Sequence, residues 1–202
     1  DDPDMSTSAE EGQLAALEVI QYALNLAVQH REVPMDNITG ALLDAELDGE
    51  PISEDMFGWM FILILVGGNE STRTVIAQGM RLLMEHPDQL QYLVDNPDKI
   101  GNACEEILRY NTAFISMRRT ATADTELGGQ QIRKGDKIIL HYHAANQDEL
   151  VFGEDAMVFD VTRAERMPEL YNQLRSFGIG QHFCIGSHLA RLELNIMFEE
   201  II

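Results

Sequence analysis

Phe177-Gly178-Ile179-Gly180-Gln181-His182-Phe183-Cys184-Ile185-Gly186 is a glycine-spaced loop that presents one cysteine immediately before a helix. A thiolate at Cys184 is favoured there by the positive end of that helix and by the N–H groups of the loop. The segment therefore reads as a prepared anionic sulfur ligand. Gly178, Gly180 and Gly186 lack a Cβ, so the backbone can lie against a flat macrocycle and bend back at the sulfur without steric penalty. The plain alternative is a structural thiol buried in a Gly-rich turn, the commoner state of a lone cysteine.

Upstream of this loop, Ser53 caps a long helix from Glu54 to about Glu85. Its first half is apolar nearly all round and asks for cover on every side. The run Met56 to Val66 is eleven residues long, well short of the roughly 20 needed to cross a bilayer. Within the helix, Val66-Gly67-Gly68-Asn69-Glu70-Ser71-Thr72 is a poor prescription for plain helix, because each Gly costs about 1 kcal/mol and Ser competes for the backbone. A local bulge is expected. Glu106-Ile107-Leu108-Arg109 places an acid and a base at i,i+3 on one helix face, where they can pair bidentately; taken alone, such a pair is usually a solvated surface bridge.

The remaining periodicity sets the class. Ser8 and Glu11 form a capping box for a helix to about His30, which Val33-Pro34 ends. Asn37 to Glu46 reads as a short helix, Asp48-Gly49-Glu50-Pro51 as a turn, and Pro87 to Val94 and Asp98 to Tyr110 as further helices. After Tyr110 the period changes: Arg119 to Ala123, Gly128 to Ile132 and Lys137 to His143 have the alternation of short strands, with Lys134-Gly135-Asp136 as a tight connection. Asn146 to Arg175 shows little periodicity, and a long irregular stretch in a compact domain is usually functional. The fold class is mainly α with a small β element.

Composition narrows the function. The 202 residues hold 14 Lys+Arg against 34 Asp+Glu, a formal net charge of −20, which argues against nucleic acid as a partner. Residues 1–55 carry 14 of the acids and a single base, Arg31, so the bases cluster in the later part. Hydrophobic residues at 45 % supply a sizeable core. Two cysteines are too few for a disulfide framework and fit a reducing, cytoplasmic setting. Cys104 reads as a small core residue, and the ten methionines as adaptable packing. His30, His86, His141 and His188 lack partners at metal-ligand spacing, and His182 with Cys184 makes a poor zinc site. The acidic Asp1-Asp2-Pro3-Asp4 start has no following signal segment, and Leu189 to Ile202 is amphipathic without a terminating cap, so both ends read as those of a piece of a larger protein.

The decapeptide at 177–186 resembles the haem-binding signature of cytochromes P450, Phe-Gly-x-Gly-x-His-x-Cys-x-Gly, at every fixed position. The resemblance implies that Cys184 is the axial thiolate of haem b (iron protoporphyrin IX), pushing electron density onto the iron to favour O–O cleavage. It further implies that His182 contacts a haem propionate and that Phe177 packs beside the sulfur. Arg119 stands where the family has a propionate-binding Arg, Asn146 in its Ala-Asn turn, and Arg163 where an Arg completes a Glu-Arg-Arg lock with Glu106 and Arg109. The lock would fix the irregular segment leading into the cysteine loop. Gly67 and Gly68 match the small pair of the family's oxygen-activation segment, in which Glu70 is the acid and Ser71 the alcohol of a proton relay, followed by Thr72. Threonine is usual at the alcohol position; serine keeps the hydroxyl but loses the methyl that restricts χ1, which loosens the coupling of oxygen use to product. Ala113 stands where the family often has proline, and Glu165 to Gln173 is an unusual segment.

The resemblance covers the whole chain and corresponds to roughly the C-terminal half of the fold, a partial domain over residues 1–202 running from just before the long helix that activates oxygen to the helix after the cysteine. It implies a monooxygenase that inserts one oxygen atom of O2 into a C–H bond, with ferredoxin and a ferredoxin reductase supplying electrons. Val66 to Arg73, Met117 to Asp124 and Ala145 to Glu149 look like bacterial members that hydroxylate sterols, methyl-branched lipids or alkanes, and thus imply a hydrophobic substrate. The competing expectation is a haem-binding or degenerate piece of the family without catalysis.

Overall fold

The serine and glutamate near the start reciprocally cap the first helix. In the computed structural model, which describes residues 8–202, Ser8 Oγ accepts from the Glu11 N–H at 3.2 Å and the Glu11 carboxylate accepts from the Ser8 N–H at 2.8 Å. These bonds open helix α1 (Ala9–Glu32). The acidic stretch Asp1-Asp2-Pro3-Asp4 lies outside the described residues. Val33, held extended before Pro34, ends α1. Helix α2 (Ile38–Leu43) is capped by the Asn37 side chain accepting from the Gly40 N–H at 3.0 Å. It stops short of the expected Glu46, because Glu46–Leu47 (β1) and Glu50–Pro51 (β2) pair as a hairpin around Asp48 and Gly49.

Helix α3 (Glu54–Glu85) is unbroken. The bulge expected around Gly67 and Gly68 is not formed: the assignment is α-helix throughout, and the cost of two glycines does not interrupt a helix of 32 residues. The chain divides into two compact units, the first ending at Asn69 and the second running from Glu70 to Ile202. In the first unit, Phe57 of α3 is fully buried with Ala23 and Ala27 of α1, and Ile52 and Phe61 close the cluster. Cover within this unit is one-sided. Trp59, Leu63, Leu65 and Val66 stay exposed, against the expectation that the first half of α3 is covered all round.

The second unit has its own core. Val75, Leu82 and Leu83 of α3 pack with Leu93 of α4 (Pro87–Asp95), with Ile100, Ala103, Cys104 and Ile107 of α5 (Ile100–Tyr110), and with Leu194 and Phe198 further on. Gly79 is where α3 meets this core most closely: a Cβ there would sit 2.8 Å from both Ile107 Cγ2 and Phe198 Cζ. At Gly68 a Cβ would meet nothing within 4 Å. Gly68→Ala is therefore expected to stabilise the chain by up to about 1 kcal/mol through helix propensity. Gly79→Ala is expected to lose that gain and more, since overpacking costs about 1–3 kcal/mol. Urea midpoints of the two variants check this, and equal midpoints would contradict it.

After α5 come two short two-stranded ribbons rather than one small sheet. β3 (Met117–Thr120) pairs antiparallel with β6 (Lys137–Leu140), and β4 (Thr125–Leu127) with β5 (Gln130–Ile132). Gly128 and Gly129, which open the stretch Gly128 to Ile132, form the two-residue turn between β4 and β5, with φ of 58° and 78°. β6 also ends before the expected His143: His141 Nδ1 accepts from the Ala144 N–H at 3.2 Å and caps α6 (Tyr142–Ala145). The irregular stretch contains three single-turn helices, α7 (Glu149–Phe152), α8 (Arg163–Arg166) and α9 (Leu170–Gln173). Helix α10 (Ser187–Ile201) follows the cysteine loop. No helix among the described residues is long and apolar enough to cross a membrane.

Candidate active site

The cysteine loop turns on two glycines. Gly178 and Gly180 have φ of 72° and 70°, the left-handed region that side-chain-bearing residues rarely adopt. Between them and the helix, the Cys184 N–H donates to the Phe177 carbonyl at 3.0 Å, which closes the loop, and the Ser187 N–H donates to the Cys184 carbonyl at 3.3 Å. Cys184 is exposed. Gly186 has an ordinary φ of −85°. It is not a bending point as expected, and a Cβ there would only touch Cys184 Sγ at 3.9 Å.

Phe177 is half-buried against the core and tilted toward Phe183 at 6.3 Å between ring centres. Arg191 of α10 stacks on Phe177 and Tyr171, its guanidinium carbon 4.4 and 3.9 Å from the ring centres, and pairs with Glu105 at 2.7 Å. Sequence reading missed Arg191, although it lies only seven residues past the cysteine, on the helix that follows it. The other cysteine behaves differently: burial, with Glu105 and Glu199 adding to it, pushes the Cys104 thiol up to about 12.

Glu106, Arg109 and Arg163 are brought together, and all three are fully buried. Arg109 donates through Nε and Nη2 to both oxygens of Glu106, at 2.7 and 2.8 Å, and through Nη1 and Nη2 to the carbonyls of Asn146, Ala156 and Val158. Arg163 donates to Glu106 at 3.1 Å, to the Asp155 carboxylate, and to the carbonyls of Phe152, Asp155 and Val158. Each guanidinium has five N–H groups, and all are used. The Glu106 carboxylate also accepts from the Asp160 N–H at 2.9 Å. This is the opposite of a solvated bridge: the cluster stitches the backbone of 152–160 onto α5.

At its rim, Arg166 reaches Asp155 and, at 3.1 Å, Asp160. Burial opposes ionisation of Asp160, but bonds from the Thr162 hydroxyl and N–H and from Arg166 outweigh it and hold the carboxyl below its ordinary value. Asp155 is lowered likewise, against burial, by Arg163 and Arg166. Lowered carboxylates contribute stability that is present above the ordinary Asp value of about 3.9 and is lost as pH falls through their folded values. Urea midpoints are thus expected to drop as pH falls below about 4, and to drop less steeply in Arg166→Ala. An identical profile in that variant would contradict the assignment.

The remaining candidate residues are more open. Glu70 is exposed and pairs with Arg73 at 2.6 Å, Ser71 is half-buried and Thr72 buried. Arg119 lies on β3, exposed, with Nη1 donating to the Arg118 carbonyl at 3.1 Å, and His182 is exposed.

Residues 6–202 match the family profile of cytochrome P450. The chain belongs to the cytochrome P450 family. It is 39 % identical to a steroid C26-monooxygenase of Rhodococcus jostii over 203 aligned residues, 100 % of this chain and 40 % of the relative. It is 40 % identical to a linalool 8-monooxygenase of Pseudomonas putida, covering 98 % of this chain and 47 % of that one. With a methyl-branched lipid omega-hydroxylase of Mycobacterium bovis it shares 37 % identity over 99 % of this chain and 46 % of the relative. Its fold is similar to that of CYP109E1 from Bacillus megaterium in complex with testosterone, with a TM-score of 0.85 at 30 % identity over 96 % of this chain and 52 % of that one. The chain thus spans less than half the length of these three curated P450 relatives.

Haem b, the family's cofactor, suits the donor set found here. Cys184 offers an accessible sulfur, Ile179, Phe183 and Ile185 around it present exposed apolar side chains, and no cluster of His, Cys, Asp and Glu suited to another metal ion occurs among the described residues.

Proposed function

We propose that this chain is the haem-binding and oxygen-handling part of a P450 monooxygenase that inserts one oxygen atom of O2 into a C–H bond of a hydrophobic substrate. The observation that carries the reading is the exposed Cys184 on a loop folded back by left-handed glycines, with its own N–H bonded to the Phe177 carbonyl. In this reading Cys184 holds the iron through its thiolate, Phe177, Gly178, Gly180 and Gly186 shape the loop beneath the macrocycle, and Arg119 and His182 take the propionates. Bound haem supplies the redox chemistry that activates O2. Gly67 and Gly68 take the part of the family's small pair in the oxygen-handling segment, and Glu70, Ser71 and Thr72 hold and pass protons. For Glu70 this requires leaving Arg73. Glu106, Arg109 and Arg163 are structural.

The activities for which the relatives are named, on a steroid, linalool and a methyl-branched lipid, support a long apolar substrate. A ferredoxin with its reductase as electron source and a cytoplasmic location complete the reading. The test is spectroscopic. Reduced chain mixed with hemin and carbon monoxide is expected to show the red-shifted Soret band of sulfur ligation, with weak uptake because the apolar residues around Cys184 are exposed on this chain. A band of nitrogen ligation, or tight stoichiometric uptake without sulfur, overturns the proposal. A second reading, haem binding without catalysis, is favoured by the surface pairing of Glu70 with Arg73. NADH oxidation coupled to substrate hydroxylation, in protein supplied with ferredoxin and reductase, separates the two.

A further inference from the structure

Asn146 is fully buried at the end of α6, and every polar atom of its side chain is engaged. Its Nδ2 donates to Thr112 Oγ1 and to Ser176 Oγ, each at 2.8 Å, and its Oδ1 accepts from the Arg175 N–H at 2.7 Å. Its backbone carbonyl accepts from Arg109 Nη1 at 2.8 Å, inside the buried ion cluster. Ser176 in turn donates to the Leu108 carbonyl at 2.6 Å. Asn146 thus joins, through its carboxamide, the end of α5 to the two residues that precede Phe177, and, through its backbone carbonyl, both of these to the Glu106–Arg109–Arg163 cluster. From Phe177 a single further bond reaches the Cys184 N–H, and the Gly178 N–H returns to the Arg175 carbonyl at 2.9 Å.

The opposite end of α6 touches the same loop independently. A Cβ at Gly178 would lie 3.6 Å from the Tyr142 hydroxyl and 3.7 Å from the His182 carbonyl. Four residues of helix therefore brace the cysteine loop at both of their ends.

We propose that Asn146 is the positioning residue of the cysteine loop: it transmits the place of the buried ion cluster to Arg175 and Ser176, and through Phe177 to the backbone of Cys184. The significance of that placement for iron rests on the function proposed above, but the bracing itself does not, and its test needs no haem. Without the carboxamide, the buried Arg175 N–H and Ser176 hydroxyl lose partners, and the loop opens more often than the rest of the unit. Gln89 supplies the matched comparison. Its amide also clamps backbone in this unit, donating to the Phe159 carbonyl and accepting from the Val161 N–H, both at 2.8 Å, and it has no bond to 175–184.

Amide hydrogen exchange followed residue by residue in the chain without haem decides the matter. Asn146→Ala is expected to lose about tenfold protection at the Cys184 and Gly178 amides relative to the α5 amides. Gln89→Ala is expected to leave the ratio unchanged while also lowering the urea midpoint. Unchanged protection at Cys184 and Gly178 in Asn146→Ala, or an equal loss in Gln89→Ala, overturns the proposal. Should Asn146→Ala fail to fold, Ser176→Ala, which removes one arm only, decides in its place: a smaller loss at the same two amides supports the bracing role, and no loss refutes it. When haem is added, the fraction of the sulfur-ligated carbon monoxide band is expected to follow the protection ratio across the variants. A normal protection ratio with no sulfur-ligated band would count against the function and leave the bracing standing.

Discussion

Replacing Glu106 by alanine is expected to cost the chain about 3–5 kcal/mol, because removing one partner of a buried ion cluster leaves the others charged and uncompensated in the interior. Here the loss falls on two guanidinium groups at once, since Glu106 accepts from both Arg109 and Arg163 and also holds the Asp160 N–H. Native stabilities lie at about 5–15 kcal/mol, so a change of this size takes a large share of the total. Glu106→Gln is expected to fall between the wild type and alanine: its amide oxygen still accepts, while its NH2 faces a donor of Arg109 in either orientation. Urea unfolding measures this through the midpoint at unchanged slope. A loss below about 1 kcal/mol in the alanine variant would show that the cluster behaves like a surface pair.

Cys184→Ser is expected to abolish the sulfur-ligated carbon monoxide band completely, since an uncharged hydroxyl replaces the only exposed sulfur of the two cysteines. Thiol labelling gives the same prediction without iron. One thiol per native chain is expected to react quickly at neutral pH, because Cys184 is exposed while Cys104 is buried with its thiol pushed up to about 12. Two thiols react once urea unfolds the chain, hemin slows the fast one, and Cys184→Ser removes it. Fast labelling that survives in Cys184→Ser, or that hemin leaves untouched, would remove the sulfur from the proposed site.

Several of these features were legible as spacing. The Ser8–Glu11 capping box, the Ser53 cap and the i,i+3 pair at 106 and 109 are bonds between residues at most four apart, and the structure forms each of them. Where expectation failed, a neighbour was being read in isolation. The glycines of α3 predicted a bulge from propensity alone, and the rest of a 32-residue helix overrode them.

The function of the ion pair was legible only by family resemblance. Nothing local to Glu106 and Arg109 separates a solvated bridge from a buried one; the difference lies with Arg163 and the carbonyls of 146–158, which lie 37 to 57 residues away in the chain. Asn146 is the same case in stronger form, since its partners at 109, 112, 175 and 176 come from two separate stretches about 30 residues or more away on either side.

Residue order alone established the helical class, the caps and a cysteine set among closely spaced glycines, because helix propensity, capping and backbone sterics act within a few positions. Folding decided which charges were taken out of water and which amide came to brace the sulfur loop. Burial and long-range hydrogen bonding depend on what the chain brings alongside, and that is written in no single segment.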